Sequence, residues 1–150
     1  MSTTLLRLIP REATFVPTIE AQKRAKRLVA ASLPAGTKVS IRVEDKVIFV
    51  DAGSYTESVH CPYCKRKLSD EWWAEAMDRA YQTQFTNLNA KSPCCKKNTS
   101  LNELRYTWPA GFARFTLEAV DPNISELDPQ LVTKLEEALG CAVRVVWTRY

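Results

Sequence analysis

The chain has a single histidine, His60, and only four glycines among its 150 residues. These two scarcities remove many catalytic and nucleotide-binding arrangements. No Gly-x-x-x-x-Gly-Lys-Ser/Thr loop is present to cradle a phosphate, and no His-x-Glu precedes a Pro-Cys-x-x-Cys as zinc deaminase chemistry requires. No spacing singles out an acid–base pair among the 17 carboxylates. No apolar run approaches the length of a membrane span. The stretch from Met1 to Pro10 lacks a basic leader and is interrupted by Arg7, so it does not read as a secretory signal. The expected location is therefore the cytoplasm, where thiols stay reduced and clustered cysteines are ligands or redox groups more often than disulfides.

What the chain does have is an ordinary folding composition, 45% hydrophobic and 25% charged. Its length suits one domain over residues 1–150, able to bury roughly 68–70% of the surface that the unfolded chain exposes. Net charge is +4, and the basic excess lies in two groups. Lys23, Arg24, Lys26 and Arg27 fall on the polar side of an amphipathic helix and read as a solvated face. Lys65, Arg66, Lys67, Lys91, Lys96 and Lys97 surround the cysteines and offer a surface to an anionic partner.

The two ends share one pattern. Leu5 to Ile9 reads as a strand, Thr18 to Leu33 as a helix with Ala21, Ala25, Leu28 and Val29 on one stripe, and Val39, Ile41 and Val43 as an alternating strand. A turn at Glu44-Asp45-Lys46 predicts Val47 to Val50 as a hairpin partner. Near the other end, Phe115, Leu117 and Ala119 alternate. Asp128-Pro129 caps a helix bearing Leu131, Leu135, Ala138 and Leu139, Gly140 stops it, and Val143, Val145 and Trp147 give a last strand. Two strand-helix-strand units predict an α+β fold with a ferredoxin-like sheet and both helices on one face. Residues 54–107 interrupt the halves as an inserted zinc-binding helical module. Within them Ser69 caps a helix whose stripe, Trp73, Met77, Ala80, Tyr81, Phe85 and Leu88, is expected to pack on the sheet.

The chemistry-bearing residues are two cysteine pairs, Cys61-Pro62-Tyr63-Cys64 and Cys94-Cys95. A two-residue gap lets Cys61 and Cys64 turn toward one ion while turn amides donate to sulfur, and Cys94 and Cys95 complete a tetrahedral thiolate shell for one structural Zn2+. Adjacent cysteines tend to diverge, so an irregular backbone after Pro93 is required. His60 is the substitute ligand if Cys94 or Cys95 fails to reach. Cys141, alone in an apolar strand, reads as a buried structural thiol. Trp108-Pro109-Ala110-Gly111-Phe112 is either a protein-binding tip presenting Trp108 and Phe112 or a corner tucked under the insert.

Three resemblances follow from these residues. Cys61-Pro62-Tyr63-Cys64-Lys65-Arg66-Lys67-Leu68 resembles the first half of a zinc ribbon, which implies structural zinc and no particular activity. Cys-Pro-Tyr-Cys also resembles the glutaredoxin active site, which implies a nucleophile at Cys61 and a resolving thiol at Cys64. That match ends with the motif: only Gly111 and Gly140 follow it, and Ser69 starts the helix too far on to stabilise a thiolate. The longer run from the knuckle through Trp72-Trp73, Pro93-Cys94-Cys95 and Leu101-Asn102-Glu103-Leu104 to Phe115 resembles a group of uncharacterised bacterial zinc-knuckle proteins, some labelled as transporter ATPases. It implies a bacterial cytoplasmic protein, and without a phosphate loop the label does not carry over.

The expectation from sequence is a non-enzymatic, zinc-stabilised module that binds another protein, as an adaptor or as an antagonist of a toxin or enzyme in the manner of an immunity protein. The alternatives are nucleic-acid binding through Lys65, Arg66, Lys67, Lys96 and Lys97, and thiol–disulfide exchange at Cys61 and Cys64.

Overall fold

Strand β1 (Thr4–Pro10) leads to helix α1 (Ile19–Ser32) and the long strand β2 (Lys38–Val50); at the other end β7 (Gly111–Val120) leads to α3 (Pro129–Leu139) and β8 (Val143–Arg149). The computed structural model describes residues 2–150. These four strands form one antiparallel sheet in the order β2-β7-β1-β8. The alternation seen in sequence decides what each face carries. Leu6, Leu8, Phe115, Leu117 and Ala119 pack with Ala25 and Val29 of α1 and Leu131, Leu135 and Leu139 of α3, so both helices cover one face. Phe115 and Leu135 are completely buried, and each such side chain contributes on the order of 1.5–3 kcal/mol by leaving water. The helices start where their caps require: the Thr18 hydroxyl accepts from the Ala21 amide and the Asp128 carboxylate from the Gln130 amide. α3 stops at Gly140, which takes the left-handed conformation.

The predicted hairpin at Glu44-Asp45-Lys46 is corrected by the structure. β2 runs unbroken, with Val43 opposite Phe115 and Ile48 opposite Ala113, so it carries three more residues than β7 between these pairs. The excess is accommodated as a bulge. Arg114, in the middle of the mismatch, donates from Nε to the Glu44 carbonyl at 3.0 Å and satisfies an acceptor that the ladder leaves free. The run Glu44-Asp45-Lys46 has turn composition, but pairing with β7 on both sides outweighs it.

Between β2 and β7 lie β3 (Val59–His60), α2 (Asp70–Gln82), β4 (Asn89–Lys91), β5 (Asn98–Ser100) and β6 (Arg105–Tyr106), paired as β3-β6 and β4-β5. The Ser69 hydroxyl caps α2 by accepting from the Trp72 amide. Ala76 and Ala80 are buried with Val47, Leu101, Leu104 and Phe112, and Trp73, Met77, Phe85 and Leu88 pack around them. Tyr81 departs from the expected stripe: it is 71% exposed and meets only the edge of Phe85. The buried Asn102 ties this segment to the sheet. Its amide donates to the Arg11 carbonyl, and its carbonyl oxygen accepts from the Phe112 amide and the Arg144 guanidinium.

Gly53 closes the far edge, bridging to Arg149 with φ +62. A Cβ there would sit on the Arg149 carbonyl oxygen, so strain and overlap act together. Gly53→Ala is expected to destabilise the protein by roughly 2–3 kcal/mol, read as a lower urea midpoint at unchanged slope. A midpoint equal to the parent's would mean that the edge shifts freely.

Candidate metal centre

Cys61 follows β3 directly, and the backbone after it doubles back. The Cys61 amide donates to the Arg66 carbonyl at 2.9 Å, the Lys65 amide donates to the Cys61 carbonyl at 3.1 Å, and Lys65 takes φ 67 to close the turn. The second loop, between β4 and β5, repeats this bond for bond. The Ser92 amide donates to the Lys97 carbonyl at 3.0 Å, the Lys96 amide donates to the Ser92 carbonyl at 2.8 Å, and Lys96 takes φ 56. Ser92-Pro93-Cys94-Cys95-Lys96-Lys97 is therefore built like Cys61-Pro62-Tyr63-Cys64-Lys65-Arg66. Ser92 stands where the first loop has Cys61, and Cys95 stands where it has Cys64. Cys94 occupies the place of Tyr63.

This equivalence explains how adjacent cysteines serve one site. Cys95 turns inward as Cys64 does, and Cys94 reaches the centre from the tip of the loop. The four sulfur atoms of Cys61, Cys64, Cys94 and Cys95 lie within 4.8 Å of one another, and these residues can hold a metal ion. Two contacts cross between the loops, Cys64 to Cys94 at 3.3 Å and Cys61 to Cys95 at 4.0 Å. A tetrahedral thiolate site with metal–sulfur bonds of about 2.3 Å places its sulfurs about 3.8 Å apart, within the observed spread. All five cysteines of the chain are free thiols.

The electrostatics of the cluster are uneven. Burial acts against ionisation of Cys61, yet the amides of Cys64 and Tyr63 and the thiols of Cys94 and Cys64 outweigh it and bring Cys61 down to about 6. The Arg66 amide, against a smaller opposing effect of burial, lowers Cys64. Burial and then the Cys64 and Cys61 thiols raise Cys94. Cys95 is pushed up to about 12 by the Cys64 thiol first and burial next. The first pair, Cys61 and Cys64, is thus shifted down and the second pair, Cys94 and Cys95, up, an imbalance that a bound dication would remove by taking all four as anions. A filled four-thiolate shell leaves no position for water and performs no hydrolysis.

His60 lies outside the cluster. Its Nδ1 donates to the Lys65 carbonyl at 3.0 Å, and its Nε2 is 2.8 Å from the Ser58 hydroxyl, so both ring nitrogens are engaged in supporting the first loop. Lys65, Arg66, Lys67, Lys96 and Lys97 are all exposed. The loop equivalence brings Lys65-Arg66 and Lys96-Lys97 to matching positions flanking the cysteines. Lys97 also sits over the Tyr63 ring, 5.1 Å from its centre. Of the two readings of Trp108-Pro109-Ala110-Gly111-Phe112, Phe112 follows the tucked corner and not the binding tip: it is completely buried, against Phe49 and Phe85, and has no surface for a partner. Trp108 is half-buried and stacks on Tyr55 at 4.2 Å. Cys141 is only half-buried, in the turn between α3 and β8 rather than within a strand, and burial raises its thiol.

Sequence reasoning missed Ser92. The signal was present, since Ser-Pro-Cys-Cys-Lys-Lys aligned on Cys-Pro-Tyr-Cys-Lys-Arg keeps proline second, cysteine fourth and a basic pair after it. Among the described residues no helix is long and apolar enough to cross a membrane. No protein-family model matches the chain, and neither a curated protein nor a solved structure is significantly similar to it.

Proposed function

We propose that this chain is a non-enzymatic binding protein of the cytoplasm, held in shape by one structural Zn2+ at Cys61, Cys64, Cys94 and Cys95, and that its partner is another protein. The observation that carries the reading is the convergence of four sulfurs from two equivalent loops. An all-thiolate set suits zinc, and such a site serves folding rather than catalysis. The strand order β2-β7-β1-β8, with a helix after the first and third of these strands in the chain, supports reading residues 1–150 as one ferredoxin-like domain with residues 54–107 inserted. Thiols clustered as candidate ligands suit a reducing compartment. The protein partner is an adaptor's client or a toxin or enzyme that the rigid knuckle face occludes.

One observation favours a second reading. The five exposed cations on the two loops form a basic collar around the cysteines, which suits a nucleic-acid backbone. Protein purified under reducing conditions without added metal is expected to carry one zinc per chain by elemental analysis and native mass. It is expected to recover a stoichiometric protein partner from its native cells, lost in Lys65→Glu/Arg66→Glu/Lys96→Glu/Lys97→Glu. Saturable binding to a labelled 20-mer RNA or DNA, weakening with salt at a log–log slope of about −3 to −5, would replace the protein partner by nucleic acid. A metal-free protein that reduces insulin disulfides and loses this activity in Cys61→Ser would replace both readings with thiol exchange.

A further inference from the structure

A cavity of about 430 Å³ opens between the end of β2, the segment before β3, α2 and β6. That size lies in the range of small-molecule sites. Four aromatic rings line it, Phe49, Trp73, Tyr106 and Trp108. They are held in place. The Tyr106 hydroxyl donates to the Leu101 carbonyl at 2.7 Å, the Trp73 indole nitrogen lies 3.5 Å from that hydroxyl, Phe49 sits 5.9 Å from Trp73 and 6.1 Å from Tyr106, and Trp108 is stacked on Tyr55. The walls therefore need little rearrangement to receive a ligand.

The charged residues that line this cavity have one sign, while two cations stand behind its wall, Arg7 beside Asp51 and Arg144 on the Ala110 carbonyl. Asp51, Glu57 and Asp70 line it, and no lysine, arginine or histidine does, although the chain carries 21 Lys and Arg against 17 Asp and Glu. Asp51 is compensated by the Tyr150 hydroxyl, the Gly53 amide and, at 3.9 Å, Arg7. Glu57 and Asp70 are exposed and form no ion pair among the described residues. Aromatic faces attract cations through their quadrupoles, and unpaired carboxylates at the mouth add a field of the same preference.

We infer that this cavity binds a small organic cation with an apolar body, such as an arylalkylammonium, with its charged head among the aromatic rings and the carboxylates of Glu57 and Asp70. A volume of about 430 Å³ admits such a molecule whole. The site is separate from the basic collar and does not depend on the nature of the macromolecular partner.

The test titrates zinc-replete protein with benzyltrimethylammonium and with its uncharged carbon isostere, neopentylbenzene, following the indole resonances. The cation is expected to shift Trp73 and Trp108 saturably while Trp147 stays put, and to bind at least tenfold more tightly than the isostere. Glu57→Gln/Asp70→Asn, at the protein surface, is expected to weaken the cation three- to tenfold and leave the isostere unchanged. Trp73→Leu, checked for zinc content and helicity, is expected to abolish the shift at Trp108. Equal affinity for cation and isostere would reduce the cavity to an apolar hole, and no saturable shift by either would remove the site. Tighter binding of an arginine-containing hexapeptide than of the free cation would overturn the small-molecule occupant.

Discussion

Removing the metal with a strong chelator is expected to unfold the segment from Val59 to Tyr106 while the helix-covered half of the sheet stays folded. The strands of this segment are two or three residues long, far below what pairs independently in water. Its apolar centre collects Cys61, Leu68, Ala76, Ala80, Leu101 and Leu104 around the ends of β2 and β7. Structural zinc supplies on the order of 10–16 kcal/mol at neutral pH, as much as the roughly 5–15 kcal/mol that holds a whole typical domain together. The core under α1 and α3 shares no residue with that centre. Hydrogen exchange read by mass spectrometry should show amides of residues 59–106 losing protection on chelation, with Leu6, Leu8 and Phe115 to Ala119 keeping theirs. Cys61→Ser should reproduce the pattern, because it removes a ligand and leaves a hydroxyl where exposure is nil. Simultaneous loss of protection in both regions would show that the two cores fold as one unit.

That division follows from which parts of the chain carried a local signal. The frame was legible because each element announces itself within a few residues: period-two alternation at Phe115, Leu117 and Ala119, a helical stripe from Leu131 to Leu139, and caps at Thr18, Ser69 and Asp128. The four cysteines were legible by type and rough spacing. What escaped depends on pairings distant in sequence. β2 stays continuous only because β7 pairs with both of its ends, and no residue near Glu44 encodes that. Phe112 resembles a loop aromatic beside proline and glycine, yet Asn102 holds its amide from ten residues away and draws it inside. The aromatic cavity joins residues from Phe49 to Trp108 that no single window contains.

The equivalence of the two loops makes a sharper prediction than loss of a ligand alone. Cys94→Ser is expected to weaken zinc at least about a hundredfold, since three thiolates remain and the tetrahedral shell is open. Adding Ser92→Cys to that variant should restore affinity to within about tenfold of the parent, by moving the fourth thiolate from the third position of the loop to the first, where Cys61 supplies it in the other loop. The backbone needed for this already exists, because both loops make the same two amide–carbonyl bonds and the same left-handed residue. One interaction opposes the swap: the Ser92 hydroxyl accepts from the Lys97 amide at 3.2 Å, a bond with a net value of about 1 kcal/mol. A zinc–thiolate bond outweighs that several times over, so the new thiol should rotate toward the ion. Competition against a chromophoric zinc chelator gives both affinities directly, and cobalt substitution reports the number of thiolates through the charge-transfer band near the visible edge. Recovery of a four-thiolate cobalt spectrum in the double variant would establish that the second loop is a copy of the first with its ligand displaced by two residues. If the double variant binds no better than Cys94→Ser, the likeness of the loops ends at the backbone, and the inward reach of Cys94 depends on contacts that Ser92 does not share.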